Sequence, residues 1–94
     1  MLKGGYQILN FEETELTKDV GMVFSNIHDK ITTTRKAILV SGLNIGGKLL
    51  RDVYVLFTEH GSNYEAYIPN VYIDDTLVTI HITVNSNDVV TVTY

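Results

Sequence analysis

The clearest pattern along the chain is an alternation of apolar and polar residues in its last eighteen positions, Leu77 to Tyr94. Residues 77–84 read LVTIHITV, and the alternation resumes in the closing VVTVTY. β-Branched residues at a period of two are typical of strands with two different faces. The four residues between them, Asn85–Asp88, are all turn formers. We therefore predict an antiparallel β-hairpin at this end of the sequence.

Several earlier stretches also predict strands, although more weakly. They are Tyr6–Phe11, Lys36–Ser41, Leu49–Thr58 and Tyr64–Ile68, with a short extended piece at Val71–Ile73. The second and third should pair as a hairpin around a turn at Leu43–Lys48, where Gly46 and Gly47 accept positive φ angles. Pro69 lacks an N–H for the ladder, so we expect the Tyr64 strand to end there or to lie at an edge.

One segment changes to a helical period. Apolar residues at spacings of three and four fall on a single helical face. They are Val20, Val23, Phe24, Ile27 and Ile31. We predict one helix over about residues 20–31, capped by Asp19. A helix of this length is marginal alone and needs a sheet to pack against.

These elements predict one domain spanning residues 1–94, of the α+β class. It should contain about six mainly antiparallel strands, because short polar turns join consecutive strands, and one short helix packed on the sheet. A small β-sandwich or a partly open barrel is the alternative architecture.

Composition narrows the range of partners. The net charge is −4, with 7 basic against 11 acidic residues, which disfavours nucleic acid because that partner needs a basic surface. No window approaches 18 consecutive apolar residues, so we expect no membrane span. The first residues do not resemble a secretory signal peptide, which predicts folding in a cytoplasm.

The sequence contains no arrangement that predicts catalysis, a cofactor or a metal site. There is no cysteine, and the three histidines lack metal-ligand spacing. No serine lies in a GxSxG context. The acidic residues cluster in an expected connection and a turn, and the glycine pair at 46–47 lacks phosphate-loop spacing. We predict a protein that is not an enzyme.

Tyrosines are the residues that suggest an interface. There are six, and Tyr64, Tyr67 and Tyr72 lie in one stretch. Tyrosine provides contact area at low entropic cost, which suits protein or glycan surfaces. The alternative is that these side chains only stabilise the sheet as half-buried cross-strand neighbours.

The last strand offers a second candidate interface through Val90, Val92 and Tyr94. Residues 89–94 contain no Lys, Arg or Pro to discourage edge pairing. The strand either lies inside the sheet or pairs with another copy of the chain.

Five stretches together resemble small bacteriophage and prophage proteins of Gram-positive hosts that serve as head-fibre or minor virion proteins. They are GGYQILNF, KAILVSGLNIGG, DVYVLF, GSNYEAYI and the closing VTVTY. The resemblance implies a non-enzymatic structural role in capsid decoration or in a virion appendage, in several copies and without cofactors. It also implies synthesis in the bacterial host cytoplasm, incorporation into a virion, and contacts with other virion proteins or with itself. A small glycan- or ligand-binding β module with a tyrosine platform is the second hypothesis.

Overall fold

The computed structural model describes residues 7–34 and 37–94, which form eleven strands and one helix rather than six strands and a helix. In chain order they are β1 (Gln7–Asn10), β2 (Glu15–Leu16), β3 (Gly21–Val23), α1 (Ile27–Thr33), β4 (Ala37–Ser41), β5 (Leu43–Ile45), β6 (Lys48–Leu50), β7 (Val53–Leu56), β8 (Thr58–His60), β9 (Asn63–Ile73), β10 (Thr76–Val84) and β11 (Val89–Thr93). The strands form three sheets, ordered β1-β4-β7, β3-β11-β10-β9-β8 and β2-β5-β6. Among the described strands no sheet closes on itself, and the mainly β architecture with one short helix is confirmed.

The predicted C-terminal hairpin is confirmed as β10 and β11 of the five-stranded sheet. Val84 pairs with Val90 and Ile82 with Val92 in an antiparallel ladder. The turn is stabilised locally, because the Asn85 side-chain oxygen accepts hydrogen bonds from two backbone N–H groups further along the turn, at 2.9 and 3.0 Å. The inward residues of β10 and β11 are buried, which explains the alternation in the sequence.

The strand predicted to end at Pro69 or to lie at an edge continues through the proline as β9, and at Pro69 it does lie at an edge of the described sheet. The neighbour β8 pairs only with residues 63–65 of β9, so at Pro69 the strand has a ladder partner on one side only in the described chain, and proline is tolerated in such an edge position or at a bulge. The pairing with β10 shifts here, because Ile68 opposes Ile80 but Val71 opposes Val78. Two residues of β9 thus face one of β10, forming a β-bulge in which Asn70 has φ 63°.

The predicted pairing of the two middle strands is confirmed, but the predicted turn and the second strand are divided into more elements than expected. Strands β4 and β7 are antiparallel, with Leu39 opposite Tyr54. The predicted turn at Leu43–Lys48 is itself a small hairpin, β5 and β6, which packs in a separate sheet beside β2. The predicted strand Leu49–Thr58 is divided among β6, β7 and β8.

The first predicted strand is present as β1, which pairs in parallel with β4. Leu9 and Phe11 point into the core and Ile8 points outward, as the alternation predicts. Tyr6 and Lys36, at the start of two predicted strands, lie outside the described residues.

The helix begins later than the sequence predicts, at Ile27 instead of about residue 20. Residues 21–23 form β3, which pairs with β11, and the helix starts at Ile27. Gly21 is a poor helix former and suits a close approach, since a Cβ there would lie 2.7 Å from Val89 Cγ1. Ile27 and Ile31 are buried as predicted, whereas Val23 is 73% exposed.

Asp19 does not cap the helix, because the helix begins at Ile27, eight residues further on. The N-cap is Asn26, which has φ 63° and makes no capping bond with its own side chain. Asp88, in the C-terminal hairpin turn, takes that role. Its Oδ1 accepts a hydrogen bond from the His28 N–H at 3.0 Å, and its Oδ2 accepts one from the Asn26 N–H at 3.2 Å. The helix therefore begins where the hairpin supplies its cap.

The inner faces of the strands and the helix share one hydrophobic cluster. Its buried members are Leu9, Phe11, Ile27, Ile31, Ile38, Val40, Leu43, Ile45, Val55, Phe57, Tyr64, Ala66, Ile68, Val71, Ile73, Ile80, Ile82, Val84, Val90 and Val92. The outer faces of the β1-β4-β7 sheet and of the five-stranded sheet point away from this core, and both carry exposed apolar side chains.

Candidate functional site

Of the three clustered tyrosines, Tyr64 belongs to the core and not to a surface. It is only 5% exposed. Its hydroxyl shares a 2.7 Å hydrogen bond with Thr32 Oγ1, and its ring lies 4.9 Å from that of His28. Tyr64 therefore fixes the helix to the five-stranded sheet. For this residue the alternative that tyrosines stabilise the sheet, and do not form an interface, is the correct one.

Tyr67 and Tyr72 are exposed on the outer face of the five-stranded sheet. They retain 56% and 60% of their accessible surface. Five positions apart, they would lie on opposite faces of a regular strand. The bulge at Pro69 and Asn70 inserts one residue and returns Tyr72 to the face that carries Tyr67. The tertiary structure thus places two of the three predicted tyrosines on one face of the sheet.

The candidate interface of the last strand lies mostly inside the protein. Val90 and Val92 are 1% and 3% exposed, and β11 is flanked by β10 and β3. Tyr94 is half-buried beneath Lys18, whose Nζ is 4.6 Å from the ring centroid and donates to the Tyr94 carbonyl at 2.7 Å. The two valines stabilise the chain's own sheet, and we do not retain them as contact residues for a partner.

A polar cluster that sequence reasoning missed lies beside Tyr67. We call it the Glu65 cluster, and it consists of Glu65, His60, Tyr67 and His81. His81 Nε2 donates to Glu65 Oε1 at 2.8 Å, and His60 Nδ1 lies 3.3 Å from Glu65 Oε2. The rings of His81 and Tyr67 are stacked, with centroids 4.4 Å apart and planes at 6°.

Part of this cluster was visible in the sequence. Alternation alone places Glu65 and Tyr67 on one face of β9. Only the register of β9 with β10, which sets His81 opposite Tyr67, brings in the histidine. His60 arrives through the tight turn between β8 and β9. No spacing rule for local motifs joins residues on three strands in this way.

The Glu65 cluster is suited to binding through hydrogen bonds and ring contacts. The carboxylate is held from both sides by imidazoles, so its orientation is fixed, and 23% of the side chain remains accessible. Over the ranges 7–34 and 37–94, no three His, Asp or Glu side chains are placed to hold a metal ion. The described geometry is suited to ligand contact.

A second notable surface is the outer side of the β1-β4-β7 sheet. We call it the apolar face, and it consists of Ile8, Ala37, Leu39, Tyr54 and Leu56. The register sets Ile8, Leu39 and Tyr54 in one row and Ala37 beside Leu56 in the next. Exposure is 51% for Ile8, 61% for Tyr54 and 66% for Leu56. The described residues of these three strands place no charged side chain on this side.

No helix in the described part of the chain is long and apolar enough to cross a membrane. Comparisons with protein-family models, with curated proteins and with solved structures found no match to this chain.

Proposed function

We propose that this chain is a non-enzymatic structural protein that acts through protein–protein contacts, as an accessory component of a bacteriophage particle such as a capsid decoration or head-fibre protein. The contact role is supported by the apolar face. The assignment to a virion is supported by the sequence resemblance to phage head-fibre and minor virion proteins. The expected partners are other virion proteins and further copies of this chain.

The observation that carries the contact role is the continuity of the apolar face across three paired strands. Scattered exposed apolar residues are ordinary, whereas a contiguous uncharged patch marks an interaction surface. At strand spacings of about 4.8 Å, three strands and two rows of side chains cover a few hundred Å². That area suits the centre of an interface, with a polar rim supplying the rest of the roughly 800 Å² that a stable contact needs from each partner.

A second copy of the chain fits this face physically. Two sheet faces pack against each other at about 10 Å. The five described residues of the apolar face carry no charge, so they bring no like-charge repulsion into the contact despite the net charge of −4. Such packing would cover the outer face of a sheet whose inner face already packs on the core.

Light scattering coupled to size exclusion tests this proposal. An interface of micromolar affinity is populated at about 0.1 mM protein, so we expect a dimer or larger assembly there. Leu56→Lys should dissociate it by placing a charge on the contact surface. Leu77→Lys is the matched control, because Leu77 is 52% exposed on the five-stranded sheet instead. A strict monomer, or equal effects of the two variants, would contradict self-association through the apolar face.

The virion assignment has its own test. The gene should lie among capsid, portal or tail genes, and the protein should copurify with particles of the phage or prophage that encodes it. A gene located among unrelated metabolic genes, with no protein in purified particles, would refute the virion role.

A further inference from the structure

We propose that the outer face of the five-stranded sheet, around Tyr67 and Tyr72, is a binding site for a neutral oligosaccharide chain. The site lies on a different sheet from the apolar face and is independent of the proposed contact function. The juxtaposition of two exposed tyrosines with an oriented carboxylate is the observation from which the argument starts.

The β-bulge in β9 is what places both tyrosines on this surface. Without the extra residue, Tyr72 would point into the core side of the sheet, whereas the bulge places it on the same face as Tyr67. Asn70 adopts φ 63° to allow this, a conformation that asparagine tolerates better than most residues. The two side chains are then roughly 13–16 Å apart along the strand, which exceeds one sugar ring and suits a chain of several.

Tyr67 is held in place before any ligand arrives. Its ring is stacked on that of His81, so little side-chain freedom remains to be lost on binding. More than half of its surface is nevertheless exposed. A pyranose ring presents a face of C–H groups, and such a face packs on an aromatic ring as apolar surface.

The polar groups beside Tyr67 match the hydroxyls at the edge of a sugar ring. An ionised carboxylate has about four acceptor positions. Glu65 Oε1 is contacted by His81 and, at 3.5 Å, by the Tyr67 hydroxyl, and Oε2 is contacted by His60 alone, which leaves room at Oε2 for a ligand O–H donor. Thr83, directly opposite Glu65, and Thr93, directly opposite His81, add half-buried hydroxyl groups on this face. Aromatic rings flanked by fixed hydrogen-bonding groups can thus contact both the C–H face and the hydroxyl edge of a sugar ring.

The negative charge of the site favours neutral over anionic carbohydrates. The Glu65 carboxylate lies within the site and the whole chain carries a net charge of −4. Uronic acids and other anionic sugars would therefore meet like charge. The chemistry fits neutral hexopyranose chains, with or without N-acetyl groups.

Two-dimensional amide NMR with three probes tests the site. We expect cellohexaose or tetra-N-acetylchitotetraose to shift the resonances of Tyr67, Tyr72 and His81 saturably, with a dissociation constant of about 0.1–1 mM. Tetragalacturonic acid should bind at least tenfold more weakly. The absence of shifts with both neutral probes at about 10 mM, or preference for the acidic probe, would overturn the proposal.

Variants separate this site from nonspecific sugar contact. Tyr67→Ala and Tyr72→Ala should each weaken binding at least tenfold. Tyr54→Ala is the matched control, because Tyr54 is equally exposed but lies on the other sheet. Tyr72→Ala keeps the His81 stack intact, so a loss of affinity in that variant cannot come from disturbing the stack. Unchanged affinity in both site variants, with melting curves confirming that they are folded, would overturn the proposal.

Discussion

The C-terminal hairpin caps the helix through Asp88, so we expect Asp88→Ala to lower the free energy of unfolding. The Asp88 carboxylate accepts hydrogen bonds from two N–H groups at the start of α1, at 3.0 and 3.2 Å. Loss of an N-cap costs about 0.5–2 kcal/mol. Hydrogen bonds to a charged group lie at the upper end of the usual range, so we take about 2 kcal/mol for the pair.

Alanine at position 88 also has a backbone cost, because Asp88 has φ 66°. A left-handed conformation costs a residue with a Cβ about 1 kcal/mol. The expected loss in the free energy of unfolding is therefore about 3 kcal/mol in total. Asp88→Asn keeps one side-chain acceptor and the tolerance for positive φ, so it should lose about 1 kcal/mol.

Asp75→Ala is the matched control. Asp75 has φ 63° but lies exposed in the turn between β9 and β10, away from the helix. This variant should lose only the backbone part, about 1 kcal/mol. The two alanine variants should therefore differ by about 2 kcal/mol in unfolding free energy, which corresponds to roughly 8–16 °C in melting temperature for a domain of this size.

Urea unfolding and amide hydrogen exchange measure the two parts of this prediction. Exchange at Asn26 and His28 should accelerate in Asp88→Ala and not in Asp75→Ala, because only the first variant frees those N–H groups. Equal unfolding free energies for the two alanine variants, or unchanged exchange at the helix start, would show that the cap does not stabilise the helix.

Two further pairs of substitutions test the packing. Val92→Lys places an unpaired charge at a position that is 3% exposed and should cost more than about 3 kcal/mol, whereas Val23→Lys, at a 73% exposed edge position, should stay within about 0.5 kcal/mol. Equal thermal melts for these two variants would contradict the placement of β11 inside the sheet. Gly42→Ala should lower the urea midpoint more than Gly61→Ala, because both glycines have φ near 65° but only at Gly42 would a Cβ lie 2.8 Å from a backbone atom, the Glu13 nitrogen. Identical midpoints would show that the chain shifts there without cost.

Local sequence pattern predicts part of the candidate sites, and the rest depends on how distant segments pair. Alternation in the sequence correctly set Glu65 and Tyr67 on one face and Tyr64 on the other. It could not show that Tyr72 shares the face of Tyr67, because that depends on a bulge in the pairing of two strands. His81 enters the Glu65 cluster only through the register of β9 with β10.

The sequence by itself determined the elements whose cause is local. The alternation of residues 77–94 and the turn chemistry of Asn85–Asp88 specify a hairpin whatever surrounds it, because both faces and the turn are encoded within one segment. The same is true of the inward face of α1 at Ile27 and Ile31. These interactions join residues close in sequence, so a pattern records them.

The tertiary structure alone decided the elements whose cause is distant. Strands of two or three residues such as β2, β3 and β8 are too short to carry a period, and they exist because a neighbouring strand offers hydrogen-bond partners. The helix start was decided by Asp88, which is 60 residues away from His28 in the sequence. A backbone N–H is satisfied by whichever acceptor the fold brings within reach, and sequence spacing does not record that distance.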